Sequence, residues 1–594
     1  MTELKLFPKP RLVDESYDAG APANVEAVVV TDRCIVDQGY RLSVLDGRVE
    51  LRHSDEAGLR YGQDTLAQLR RQFTTSLPGL IISDWPDIPS RGYMLDISRD
   101  RVPTMETLGW LVEVLALCRF NQLQLYMEHT FAFADHETVW GDASAMTAAE
   151  MRDLDRLCAA KGIELVPCLN VFGHMGKWLR HDRYRDRAEC PDGFELPGVG
   201  THMHPQTLEP SQANANFALE LLRELTDTVS SSKVNICCDE AMELGLGKSR
   251  NLVAKHGKAT VFVDQLLRIV EPLIEEGREV MFWGDMFRLD PQPISRLPLS
   301  SATALAWQYD PPSTPTSKTS PLLATPELAE LLGFPPDLHL GFESQTRQLA
   351  AAGYPFWVAP GTSSWNSLIG RWPESQANLL DAVDVGFEAG AAGMLLTDWG
   401  DTGHMQPLAV SSLPIAFAGA LSWCSDQNRG VPSAAVVNRV IFGNEAAGLA
   451  EALMTIGGLS GSSSREAVNG SSLFFDLLVD PPLPVSGTTT RSEIDNFVDT
   501  LSVAEQEILD ASPTCRQGAE IIAEIQAAIR LARHGVWRGG RSQHSDNLTN
   551  SELREDLAEA IDLQTAAWLG RNRPGGLAHS LALLSRTATS YEST

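Results

Sequence analysis

The sequence predicts an α/β protein: a (β/α)8 TIM barrel, preceded by a small α+β domain and followed by a helical C-terminal domain. Three observations predict it. Short alternating runs crowd the first 88 residues, eight strand-like runs separated by amphipathic segments fill residues 89–428, and the strand pattern disappears over residues 429–594.

In residues 1–88 the runs VEAVVV, CIVD, YRLSVLDG and RVELRH are broken by turn residues, the pattern of a small sheet. In AGLRYGQDTLAQLRRQF, Leu59, Leu66, Leu69 and Phe73 share a face, which predicts a helix. The eight later strands are expected at 91–98, 122–128, 163–171, 234–240, 279–287, 303–310, 356–365 and 393–401. METLGWLVEVLALCRF, between the first two, carries Leu108, Leu111, Val112 and Leu115 at helical spacing, and comparable segments precede most later strands. The insert KWLRHDRYRDRAECPDGFELPGVGTHMHPQ and the Pro/Ser/Thr-rich stretch 311–326 are expected as loops over the barrel mouth. In the last domain Ile522, Ile525, Ile529 and Ala532 share a helix face, and Thr549 with Glu552 forms a capping box. WLGRNRPGGL (568–577) is a helix end with a Pro/Gly stop, or a surface that docks on the barrel or makes a homodimer contact.

Composition narrows the function classes. Hydrophobic residues at 43% and charged residues at 21% of 594 exclude disorder over most of the length. A net charge of −29 opposes nucleic acid and anionic membrane as partners. The start, MTELKLFPKPRLVDESYDAG, lacks a signal peptide's apolar stretch, and no apolar run is long enough for a bilayer, so a soluble, cytoplasmic protein is expected. Nine cysteines, several of them (Cys118, Cys158, Cys168, Cys237, Cys238) inside predicted elements, fit a reducing compartment. There is no CxxC pair. His202 and His204 are read as polar loop residues, so neither a metal nor an organic cofactor is expected.

Barrel active sites collect at the carboxyl ends of the strands, and polar or aromatic residues collect there in this sequence. The pairs are Asp96 and Arg99, Glu128 and His129, Asn170 and His174, Asp239 and Glu240, Trp283 and Asp285, Trp307 and Tyr309, Trp365 and Asn366, and Trp399 and Asp401. A cap or a turn explains any one of these, but explains eight together poorly. Carboxylates, tryptophans and an arginine in one pocket suit a sugar, free or in an oligosaccharide: indole faces take the ring and polar groups take the hydroxyls. Glycoside cleavage also needs a carboxylic acid to protonate the leaving oxygen, and Glu240 suits that role.

These motifs carry a resemblance. Residues from about 59 to 410 resemble glycoside hydrolase family 20, the β-N-acetylhexosaminidases, through GLRYGQDTLAQL, IISDWPDIPSRGYMLDISRD, FGHM, CDE, FWGDM and DWGD in that order. The resemblance implies that Glu240 is the general acid/base and that Asp239 orients the substrate's 2-acetamido group, whose own oxygen attacks the anomeric carbon. It further implies that Arg91 holds ring hydroxyls, that His174 lies near the acid, that Trp283 and Trp399 wall the aminosugar pocket, and that Asp401 binds outer hydroxyls. The sequence departs from the family in three places. Cys237 and Cys238 stand where a pair of glycines is usual, and Glu128 and His129 where an Asp is usual. The strand-seven tyrosine is missing, and Ser364, Trp365, Asn366 or Tyr309 is expected to stand in for it. Two other readings remain open: a barrel glycosidase of non-acetamido sugars with Glu128 or Asp401 as nucleophile, and a non-catalytic sugar-binding protein.

Overall fold

The computed structural model describes residues 4–195, 201–313, 337–467, 469–479, 481, 485–541 and 548–592. Its first unit is a five-stranded sheet in the order Leu12–Pro22, Ser76–Asp84, Tyr40–Leu45, Arg48–His53, Ala27–Thr31. All pairs are antiparallel except the last. Alternation sets its core: Leu42, Val44, Leu51 and Ile82 point inward, and helix Glu56–Gln72 covers them with Leu66 and Leu69. Asp55 caps that helix by accepting the Gly58 N–H at 2.7 Å. Trp423, from the helix after the last barrel strand, joins the same core.

Eight parallel strands then close a barrel: Ser90–Asp96, Gln122–Met127, Glu164–Leu169, Lys233–Asn235, Glu279–Trp283, Ala302–Trp307, Phe356–Ala359 and Gly393–Asp398. Each pairs with its neighbours in sequence, and strand eight pairs with strand one. The predicted strand at 234–240 is much shorter than expected. It ends at Asn235, whose side chain accepts the Cys237 N–H at 3.0 Å and turns the chain out of the extended conformation. Among the described residues, helices follow every strand except the fifth, after which come only the short 3-10 turns Asp285–Phe287 and Gln292–Arg296. Most of the expected loop at 311–326, from residue 314 on, lies outside the described residues.

The barrel interior is a separate apolar cluster containing Met94, Tyr126, Cys168, Cys237, Met281, Trp283, Leu305, Trp357, Trp365 and Trp399. Its aromatic members other than Trp357 sit toward or beyond the carboxyl ends of the strands, so they form the floor of the mouth.

The chain after residue 430 is helical, with long helices Arg491–Asp510, Gly518–Arg541, Asn550–Arg571 and Leu577–Ser590. The Thr549/Glu552 capping box is present. The WLGRNRPGGL stretch docks on the barrel. Arg571, fully buried and paired with Glu524 of the helix Gly518–Arg541, accepts the Thr104 N–H on its carbonyl at 3.0 Å, and Trp568 lies under the Arg101 guanidinium at 4.3 Å. Arg573 reaches Glu150 at 2.8 Å. Barrel and helical region share one continuous core.

Candidate active site

The site is built around the chain turn after strand four. Cys237, Cys238 and Glu240 all have positive φ, at 57°, 65° and 47°. Non-glycine side chains pay roughly 1 kcal/mol for each such residue, so this turn stores strain that its surroundings hold in place. Two ladder bonds do so: the Ile236 N–H donates to Met281 and the Trp283 N–H to Cys237, at 2.9 and 3.0 Å. Asp285 accepts the Glu240 N–H at 3.0 Å.

The turn separates two neighbouring acids. Asp239 is buried and accepts the Asn170 amide at 2.6 Å, whereas the Glu240 side chain is 34% exposed. His174, itself at φ 47°, places Nε2 3.3 Å from an oxygen of each. It aims squarely at neither, so the imidazole stands between the two acids without an aligned hydrogen bond to either. Burial opposes charge on the imidazole, but Asp239 and Glu240 outweigh it and its pKa stands well above the ordinary histidine value. Burial also works to raise Asp239, yet the charged His174 and Arg99 hold it below the usual carboxylate range.

Opposite lies a second cluster. Arg99 pairs with Asp96 at 3.0 Å, stands 3.7 Å from Glu128, and packs its guanidinium 5.0 Å over Tyr126 and 4.9 Å over Trp399. Glu128 accepts the Tyr126 hydroxyl at 3.0 Å, and burial raises its pKa. Burial, with the charges of Asp96 and Glu240 nearby, pushes Asp401 up to about 6 against the opposing Arg99 and Arg371. The aromatic floor is continuous: Trp283 tilts against Trp399, whose Nε1–H donates to the Tyr309 hydroxyl at 2.6 Å. Tyr309 stacks on Trp307 at 5.3 Å and meets Trp365 edge-on at 5.0 Å. Arg288 closes the stack, 3.9 Å from the Trp307 ring centre.

His174, with Glu128 4.0 Å from it, thus stands at Asp239 and Glu240, while Trp283, Trp399, Tyr309 and Trp365 form the linked aromatic floor and Asp401 lies near Arg99. His129 does not join them; it is buried on the flank, where burial and the charges of Lys177 and Arg180 depress its pKa to about 3. Arg91 is a correction. It is the second residue of strand one, at the opposite end of the barrel, and its guanidinium is spent on the carbonyls of Ile88, Pro89 and Arg119 and on Tyr61. The arginine of the mouth is Arg99, three residues beyond the carboxyl end of the same strand, a position the strand-end rule already marks. Sequence reasoning also leaves Asn170, Tyr126 and Asp285 without roles. His202 pairs with Glu195 at 2.9 Å on an exposed two-stranded ribbon.

The chain is similar in sequence and fold to known proteins. The model described as Glycosyl hydrolase family 20, domain 2, matches residues 8–85, and that of the Glycosyl hydrolase family 20, catalytic domain, matches residues 89–319. A beta-hexosaminidase of Akkermansia muciniphila is 30% identical over 156 residues, 23% of this chain and 31% of that protein. A beta-N-acetylhexosaminidase of Cellulomonas fimi is 24% identical over 423 residues, 61% of this chain and 82% of that protein. The chain therefore spans about a third of the first relative and most of the second. The X-ray structure of Flavobacterium johnsoniae chitobiase superposes with a TM-score of 0.55 at 14% identity, covering 95% of this chain and 99% of that one, a likeness of fold alone.

Proposed function

The chain belongs to glycosyl hydrolase family 20, and from that premise we propose that it is an exo-acting, retaining β-N-acetylhexosaminidase that removes terminal β-linked N-acetylglucosamine or N-acetylgalactosamine. The observation that carries the proposal is the pair of adjacent acids in unlike surroundings, Asp239 buried and anionic, Glu240 partly exposed, bridged by His174.

Substrate-assisted chemistry uses both. Glu240 gives its proton to the glycosidic oxygen as the C1–O bond breaks. The acetamido carbonyl oxygen bonds to C1 from the other face, and Asp239 accepts the N–H of the oxazolinium ring so formed. Glu240, now a carboxylate, takes a proton from water as the water oxygen attacks C1 and the ring opens. Two inversions give retention. Arg99, with an aromatic face on each side and carboxylates to neutralise it, takes the place Arg91 was expected to fill, binding ring hydroxyls.

A direct carboxylate nucleophile is less favoured. Burial raises both Glu128 and Asp401, and Glu128 is tied to Tyr126 and Arg99, whereas a nucleophile must be free and ionised. A panel of nitrophenyl β-glycosides with and without the acetamido group tests the reading. Turnover confined to acetamido sugars, and lost in Glu240→Gln and Asp239→Asn, supports it; cleavage of plain glucosides sinks it.

Among the described residues no helix is long and apolar enough to cross a membrane. A cytoplasmic location is supported by buried thiols such as Cys118 and Cys168. Activity found only in the secreted fraction of source cells would refute that location.

A further inference from the structure

The loop at Asn469–Ser471, which belongs to the helical region, reaches the barrel mouth. Asn469 Oδ1 accepts the Trp365 indole N–H at 2.9 Å, and its backbone carbonyl accepts the Asn366 amide at 3.2 Å. The Ser471 N–H donates to the Asn366 carbonyl at 2.8 Å. Between them Gly470 lies so close that a Cβ there would stand 2.5 Å from the Phe475 ring and 3.1 Å from Asn366 Cβ. Only glycine fits, so the approach of this loop to strand seven is a built contact.

Two arms run from it into the pocket. Trp365, fully buried, presents its ring to Tyr309, and Tyr309 accepts the indole N–H of Trp399 on the pocket floor. Asn366 donates to Asp401 Oδ2 at 3.3 Å and accepts the Thr402 N–H at 3.4 Å. Asn366, Asn469 and Asp401 all have positive φ, at 52°, 49° and 44°, a conformation asparagine and aspartate tolerate better than most residues.

We propose that Asn469 is a positioning residue of the catalytic pocket: through Trp365 it fixes the aromatic wall, through Asn366 it fixes Asp401, and the helical region is thereby a working part of the site. This rests on reading the pocket as the sugar site.

The test measures kcat and KM on the nitrophenyl N-acetyl-β-glucosaminide for the full chain and four variants: Asn469→Gly, Asn469→Asp, Trp365→Phe, and Asn469→Gly with Trp365→Phe. Glycine removes the side-chain acceptor without straining the positive φ, so folding is preserved. Aspartate keeps an acceptor for the indole. Asn469→Gly should lower kcat/KM about tenfold, the scale of one positioning hydrogen bond, with only a small fall in melting temperature from the Trp365 N–H left without its acceptor. Asn469→Asp should recover most of that loss, and on the Trp365→Phe background, which has no indole N–H to hold, the glycine substitution should cost less than in the wild type. Wild-type kinetics in Asn469→Gly, or effects that add fully in the double variant, would overturn the proposal while leaving the assigned activity intact. If the wild type cleaves only sugars lacking the acetamido group, the activity assignment fails alone and the same cycle is scored on that sugar. If it cleaves no glycoside, both fall.

Discussion

Strand one and the turn that follows it carry two arginines, Arg91 at the base of the barrel and Arg99 at its mouth, and they are used in opposite ways. Arg91 is fully buried, and its donors are consumed by three backbone carbonyls, a tyrosine hydroxyl and Gln38, with the rings of Tyr61 and Trp423 against it. It ties the small N-terminal domain to the barrel. Arg99 is 22% exposed, faces carboxylates that neutralise it, and lies against the rings of Tyr126 and Trp399. Base chemistry is satisfied internally and holds the fold, whereas mouth chemistry is left partly unspent and is available to a ligand.

Four experiments would break or sharpen that contrast. The largest effect is expected for Glu240→Gln, which should lower kcat/KM roughly 10²–10⁴-fold with little change in melting temperature, since a mouth residue carries chemistry rather than stability. Arg91→Met should do the reverse. Three carbonyls lose a charged donor, so urea unfolding should show a loss of roughly 3 kcal/mol while kcat of the folded fraction is unchanged. Arg99→Met should cost about 10²-fold in kcat/KM, some 2.7 kcal/mol, with stability nearly kept; a melting temperature that falls as far as in Arg91→Met would erase the distinction between the two ends.

The smallest effect concerns pH. Burial, together with Asp239 and Glu240, pushes Asp285 up to about 6 against Arg288. A carboxyl whose folded pKa is raised contributes stability below its unfolded pKa and loses it as pH rises to about 6. A side-chain amide at this position cannot ionise, yet it keeps an acceptor for the Glu240 N–H. Asp285→Asn should therefore gain stability relative to the wild type between pH 5 and pH 8, by roughly 1–2 kcal/mol in thermal melts at the two pH values. An unchanged difference would mean that Asp285 is already ionised at pH 5.

Local pattern makes the barrel legible. Runs such as LQLYM and GMLLTD are buried on both faces, and the polar residues after them mark the mouth. The same pattern misjudges strand four: VNICCDE is apolar enough for a strand, but the Asn235 side chain and three left-handed residues end it at Asn235. Arg91 is misplaced because matching a motif does not ask which end of the strand the residue occupies. Asn170, Tyr126 and Asp285 act through contacts with residues distant in sequence, which periodicity cannot reveal. Asn469 is a further case, 104 residues from the indole it holds.

The docking of the helical region has a consequence for heating. Its polar anchors on the barrel include the Arg571 carbonyl with the Thr104 N–H and Arg573 with Glu150, and the loop at Asn469 hangs from the same body. Helices that loosen on warming would release Trp365 and Asp401 before the barrel strands separate. Activity should then fade at a lower temperature than the barrel melts, so that the thermal limit of catalysis is set by the domain that does no chemistry.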